Sequence, residues 1–518
     1  SSANNIALGP NTLENITSAE TSGLNVAIGV GALRDLNNGW VNIALGTTAL
    51  RRLQTGAGNI AVGAGAIQEL TTGSGNTGVG MDALNMIYEA DANTAFGHSA
   101  GFGSQGSSNT LMGYEAAYQG YYNATNTLEQ VVAIGYQSLY KSSNLNDGAV
   151  SIGYESMKNY LKGGSYRTTF TDIASTTFDE TEWNISASTA VGYQALKGSD
   201  TESNNTGLYN TALGHKALTS VSSGSFNVAV GSRSLMSNTS GIQNTAIGDN
   251  AMSENTTGKW NVALGAGALK NNLSGFSSTA IGLSSLGANT TGLRNVAVGV
   301  NSLKMNTVGS ANVAIGHSAL RDMSGVNTVT SIAANFSYSP SSDNTAVGNF
   351  SMMYNTEGSS NAAFGYSSLQ YNTTGFNNTS IGIYTLFQNY GGVSNTALGS
   401  FALNGVQNGI DNVAVGSGSG QDLANNSSNN TFLGSLAGGT STNTIITNST
   451  AVGFDAQVTE SNTIQLGNTG VSKVITSGVV SATGFVGDGS GLTNIGGGAL
   501  FDTRNNMVIN GQSPSTPS

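Results

Sequence analysis

The sequence predicts an all-β chain wound as a parallel β-solenoid of about 25 coils, and three observations carry that reading. A seventeen-residue phrase recurs along almost the whole chain, each copy holds only short apolar pieces, and glycine or an Asn-Thr-Gly run separates those pieces. Residues 244–260 read NTAIGDNAMSENTTGKW and residues 261–277 read NVALGAGALKNNLSGFS. Anchored on the glycine that ends Asn-x-Ala-[Ile/Val/Leu]-Gly, 25 copies run from Gly9 to Gly467 when degenerate ones are accepted. The spacing is 17 from Gly29 to Gly97, from Gly214 to Gly316 and from Gly348 to Gly416. Self-similarity at a fixed period is the mark of stacked units that bury their apolar edges on one another.

Within one copy the first apolar piece, such as Val262–Leu264, is too short for a helix, and its β-branched residues and flanking glycine favour a strand. Alternation places Val262 and Leu264 on one face and Ala263 on the other. Alanine fills that middle slot in 19 of the 25 copies, and the expectation is close approach to another surface, such as a three-fold-related copy. The glycine after the strand and the glycine after Asn-Thr-Thr suit turns with positive φ. Stacking brings Asn244, Asn261 and Asn295 into register, where side-chain amides form hydrogen-bonded ladders. Coils spaced about 4.8 Å apart give a rod of roughly 120 Å. A seventeen-residue coil encloses a thin core, and trimerisation would supply further burial.

Composition narrows the function. Only 9% of the residues are Asp, Glu, Lys or Arg, against about 25% in ordinary domains. With 72 Gly and a net charge of −11, no clustered cations are present to meet nucleic acid or an anionic membrane. The chain has no Cys, which excludes disulfides, cysteine-ligated zinc and a thiol nucleophile. No apolar run approaches the roughly 20 residues of a membrane helix, and residues 1–20 do not read as a signal peptide. The first copy begins at the very start, and the expectation is a natural N-terminus further upstream.

The Asn-Val-Ala-Ile-Gly and Ala-Leu pieces, from residue 4 to about 467, resemble the head repeats of trimeric autotransporter adhesins. That resemblance implies a left-handed parallel β-roll assembled as a homotrimer; the repeats here are longer than that family's, which implies a longer turn. A second piece, ATGFVGDGSGLTNI at residues 482–495, is similar to a segment of bacteriophage tail fibres and tail spikes that often precedes a self-cleaving chaperone. Together the two resemblances imply a virion tail fibre that meets other tail or baseplate proteins. The domain reading is a repeat shaft over residues 1–470 and a β-rich C-terminal segment over 471–518.

Departures from the period mark loops, and loops on a rigid scaffold are where recognition concentrates. Insertions fall near residues 114–131, 154–187 and 321–343. The largest lies between Gly153 and Gly192, 39 residues apart, and holds Tyr160, Tyr166, Arg167, Phe170, Asp172, Asp179, Glu180, Glu182 and Trp183. Aromatic faces beside carboxylates and a guanidinium suit a surface glycan; the other reading is a hairpin packing its rings on the shaft or a neighbouring subunit. The third insertion holds Phe336 and Tyr338, and the first holds Tyr114, Tyr118, Tyr121 and Tyr122. Three-fold display of such loops would give avidity.

Catalytic chemistry finds little in the sequence. His98, His215 and His317 each follow an anchor glycine, in a slot that also holds Tyr136, Tyr193, Ser232 and Asp249, so that slot reads as a variable turn position rather than a metal site. Asp172, Asp179, Glu180 and Glu182 are the only carboxylates gathered enough to consider as a glycosidase pair, and Asp455 and Asp488 lie in acidic, glycine-rich turns of the kind that sometimes hold calcium. The expectation is a non-enzymatic attachment fibre with no cofactor and no metal, a host-surface glycan or protein receptor as partner, and no nucleic acid or membrane insertion. The alternatives are a bacterial surface adhesin, displayed at the cell surface, and a tail spike that depolymerises polysaccharide.

Overall fold

The computed structural model describes residues 4–16, 22–120, 128–141, 148–158, 188–198, 206–324, 342–439, 444–477 and 481, together with the backbone at 500–501 and 507–508. The chain divides into two compact units, residues 1–466 and 467–518. The first is a parallel β-solenoid whose coils each contribute one three-residue strand to a single 25-stranded sheet. In the second, Leu500–Phe501 pairs antiparallel with Met507–Val508.

The strand ends one residue before each anchor glycine, and successive strands pair in parallel without a slip: Thr245 faces Val262, Ala246 faces Ala263 and Ile247 faces Leu264. Chain order and sheet order coincide from Ile6–Leu8 to Ile464–Leu466. The register survives the long insertions, since Val150 pairs with Thr189 and Val313 with Thr345.

The strand faces are the reverse of the sequence expectation. The middle alanine does not approach another surface; Ala246, Ala263, Ala280 and their equivalents point into the coil's own interior and are fully buried. The bulky flanks point outward instead, with Ile247 38% and Leu264 44% exposed. The physical reason is space: a coil of this length leaves room for a methyl group opposite the second apolar piece, Ala268 and Leu269, which is itself fully buried. Alternation identifies two faces but not which one is inside.

Two positions show the volume rule by breaking it. Where the middle slot holds Leu111 or Phe432, the Leu usually found four residues after the preceding anchor is Gly101 or Gly420. A β-carbon on Gly101 would lie 2.6 Å from Leu111 Cδ1, and one on Gly420 would lie 3.1 Å from Phe432 Cδ2. Large and small side chains have exchanged places across adjacent coils, which keeps the packing dense.

Backbone geometry explains the glycines in part. The anchor glycines have φ between +121° and +143° from Gly9 to Gly453, and a β-carbon there would strike the next anchor's carbonyl, as at Gly265, where the contact to Gly282 O would be 2.6 Å. The glycine after Asn-Thr-Thr differs from the expectation: Gly258 does not have positive φ. Its side chain is excluded by crowding, with Asn255 Oδ1 at 2.3 Å and Gly275 O at 2.5 Å from a built β-carbon. Positive φ falls instead at non-glycine slots, including Leu269 (+49°) and Trp260 (+58°). Each such residue costs roughly 1–2 kcal/mol, and hydrogen bonds to the adjacent coil offset it, as when Trp260 N donates to Ile242 O at 3.1 Å.

Asparagine ladders run through the interior. Asn261 donates its backbone N–H and its Nδ2 to Asn244 Oδ1, at 3.1 and 3.2 Å, and its Nδ2 also reaches Gly275 O at 2.8 Å. Asn295 joins the same ladder through Ser278, whose N–H bonds Asn261 Oδ1 and whose Oγ accepts from Asn295 N. A second ladder links Asn238, Asn255, Asn272, Asn289 and Asn306. Its last carbonyl, Asn306 Oδ1, is buried without a partner, as is Asn389 Oδ1 in a sister ladder. The next coil carries Met323 or Val406 in that slot, and neither side chain can donate a hydrogen bond.

Candidate binding surface

The residues singled out for recognition, Tyr160, Tyr166, Arg167, Phe170, Asp179, Glu182, Trp183, Phe336 and Tyr338, lie outside the described residues, as do Asp172, Glu180, Tyr121, Tyr122 and Asp488. What the structure places is the surface from which those insertions leave.

The slot after the anchor glycine carries an aromatic ring in six successive coils: His98, Tyr114, Tyr136, Tyr154, Tyr193 and His215. Neighbouring rings are 5.1 to 5.4 Å apart and nearly parallel, with angles between 7° and 18°. The four tyrosines are each a little under half exposed. Ser232 and Asp249 in later coils make this slot look variable over the whole chain, but its rings are consecutive here. Read in register, the aromatic run coincides with the coils between Gly97 and Gly214 that carry the first and largest insertions.

Polar side chains line the next slot. Gln137 Nε2 donates to Glu115 Oε2 at 2.7 Å, Gln194 Nε2 donates to Glu155 Oε2 at 3.1 Å, and Lys158 Nζ pairs with Glu155 Oε1 at 2.6 Å. Partial burial raises the Glu155 carboxyl, but the hydrogen bonds from Lys158 and Gln194 more than offset it, and its pKa lies below the usual carboxylate value. The Tyr114 phenol is pushed up, chiefly by the charge of Glu115. A shorter ring stack, Phe102–Tyr118–Tyr140, runs alongside, with the ammonium groups of Lys141 and Lys158 5.4 and 5.9 Å from the Tyr140 ring centre.

His317 meets Phe350 edge to face, and Phe350 meets Tyr366 in the same way. All three histidines are thus members of aromatic runs. Among the described residues no group of three His, Asp or Glu is arranged to hold a metal ion, and no helix is long and apolar enough to cross a membrane.

The outward strand face adds an apolar stripe. The residue before each anchor is Ile, Val, Leu, Phe or Met from Leu8 to Leu466, and Phe364, Ile381, Leu398 and Leu433 are each exposed. A stripe this continuous exceeds the isolated exposed apolar groups normal on a monomer. The described surface therefore offers a long apolar face, a ladder of stacked rings and, beside it, carboxylates and amides able to hydrogen-bond hydroxyl groups. No family model matches the chain, and no curated protein matches it.

Proposed function

We propose that this chain is the shaft of a homotrimeric attachment fibre, a bacteriophage tail fibre carried on the virion, which binds a host-surface glycan or other receptor through loops inserted in the β-roll. The observation that carries the reading is that the sheet keeps its register past an insertion as long as residues 159–187. A segment can leave an uninterrupted ladder at such a point at little cost to the scaffold, because loop closure rises only slowly with length. The stacked rings flanking its exit give that part of the surface a fixed frame.

The apolar stripe supports self-association: three chains whose stripes face one another would remove from water a surface that a lone chain leaves wet. Contact with other tail or baseplate proteins belongs to the same reading. Deleting residues 160–183 from the assembled protein should abolish or strongly reduce adsorption to host cells while the melting profile of the repeat stack persists. Unchanged adsorption would remove the loop from recognition. A native mass corresponding to one chain in correctly assembled material would refute the trimer.

A further inference from the structure

The slot five residues before the anchor has positive φ in every described coil from Leu24 to Asn462, and physical chemistry says what should occupy it. Glycine, Asn, Asp and Ser tolerate that region, whereas bulky side chains there are outliers. Many copies obey, with Gly58, Gly75, Asn377, Ser394, Asp411 and Asn429. Others do not, among them Leu24 (+58°), Val41 (+59°) and Gln130 (+57°), and one stretch of successive coils carries Tyr209 (+55°), Phe226 (+58°), Gln243 (+55°), Trp260 (+58°) and, after Ser277, Arg294 (+54°).

Burial does not explain the exception. Trp260 is 51% and Phe226 is 55% exposed, and Phe276, one residue before the Ser277 slot, is 42% exposed. The regular tyrosine ladder gains a stacking contact at each step; here Phe226 stacks on Tyr209, with centroids 5.0 Å apart at 15°, whereas Trp260 and Phe276 meet at 88° with centroids 6.2 Å apart. Trp260 Nε1 donates to Gln243 Oε1 at 2.6 Å, and the Arg294 guanidinium sits 5.8 Å from the Phe276 ring centre. Neither Arg294 nor the exposed Lys259 has a carboxylate partner among the described residues. These contacts leave about half of the Trp260 and Phe226 surface open to solvent, and exposed rings beside cations without a carboxylate partner form a surface suited to an external ligand.

We infer that Phe226, Gln243, Trp260, Phe276, Arg294 and Lys259 form a second binding site, on the shaft itself, for a pyranose glycan that carries carboxylate groups. Exposed ring surface suits the apolar C–H face of a pyranose, the Gln243 amide reaches hydroxyls, and two unpaired cations in a chain of net charge −11 select an acidic sugar. The site stands on its own geometry; the choice of a glycan rests on the attachment reading above.

The test is a printed array of acidic and neutral pyranose oligosaccharides probed with the full assembled protein, followed by calorimetric titration of the best-bound member. The expected result is an acidic oligosaccharide whose binding weakens about tenfold in Trp260→Ala and in Arg294→Gln, weakens with added salt and survives deletion of residues 160–183. Binding retained by Trp260→Ala but lost on that deletion would overturn this site and leave the attachment reading standing. If the wild type binds no array member yet adsorbs to cells, this site again falls alone; if it does neither, the attachment reading falls as well. A Trp260→Ala protein that binds normally but no longer assembles would make the rings an interchain contact and refute the proposal.

Discussion

Gly420 and Phe432 occupy one volume between them: a β-carbon on the glycine would sit 3.1 Å from the phenylalanine ring of the following coil. Most coils solve the same packing problem with Leu and Ala in these slots, and Leu takes the same left-handed backbone there, as Leu403 (+49°) does beside Gly420 (+62°). Phe432→Ala should therefore leave a cavity costing about 3–5 kcal/mol, and Gly420→Leu should overpack the interior. The double variant should recover most of both losses, a large coupling of the kind contacting residues show. Denaturation of all four proteins of the cycle measures it, and additive losses would refute the exchange.

Gly265 and Gly267 differ in what a methyl group would meet. At Gly265, with φ +135°, the new β-carbon would lie 2.6 Å from Gly282 O; at Gly267, with φ +64°, the nearest atom is Ser284 Oγ at 3.7 Å. Gly267→Ala should cost roughly 1–2 kcal/mol for the left-handed backbone alone. Gly265→Ala should cost clearly more, because two coils must separate to admit it. Amide exchange in the coils on either side should rise sharply for Gly265→Ala and only slightly for Gly267→Ala.

Replacing Asn261 by Ala removes the acceptor of the Ser278 N–H and the donor to Gly275 O, both buried. A buried group left without its partner costs about 1–3 kcal/mol, so the variant should melt earlier while retaining its coil register. Asn261→Asp should be worse, since a carboxylate oxygen would then face Asn244 Oδ1 where a donor is needed. An Asp variant as stable as wild type would show that the ladder's donor and acceptor order is not what holds adjacent coils.

Glu155 and Asp35 give the fold an acid-sensitive component. Glu155 titrates low because Lys158 and Gln194 outweigh its burial; Asp35 titrates low chiefly through its hydrogen bond from Arg34. A depressed folded-state pKa contributes stability that is fully present above the unfolded carboxylate value, about 4, and is lost as the pH falls through the folded value. Glu155→Gln and Asp35→Asn should lower the melting midpoint at pH 7, and the difference from wild type should shrink as the pH falls below about 4. A midpoint difference that does not change with pH would assign these side chains a packing role only.

The fold was legible because repetition multiplies weak local signals. One strand of three residues predicts nothing, but the recurring glycine fixes the period, and the ladder through Asn244 and Asn261 follows from stacking identical coils. The inward face of Ala263 is not legible in the sequence, since the same alternation describes a strand turned either way; the bulk of its opposite neighbour Leu269 decides it. The tyrosine ladder could have been found by aligning the slot after each anchor, where Tyr114, Tyr136, Tyr154 and Tyr193 are consecutive. The candidate residues near Tyr160 and Trp183 lie outside the described residues, and no period constrains an insertion.

The unbroken register described from Thr245 and Val262 onward also makes length a quantised property. Excision of one whole period, such as residues 244–260, would bring Asn227 against Asn261 with matching donors and acceptors, and a coil one residue shorter or longer is absorbed outside the strand, since Thr94 still pairs with Thr110 and Val132 with Val150. Recombination between copies would therefore lengthen or shorten the solenoid in steps of one coil, a change of span that requires no part of it to be redesigned.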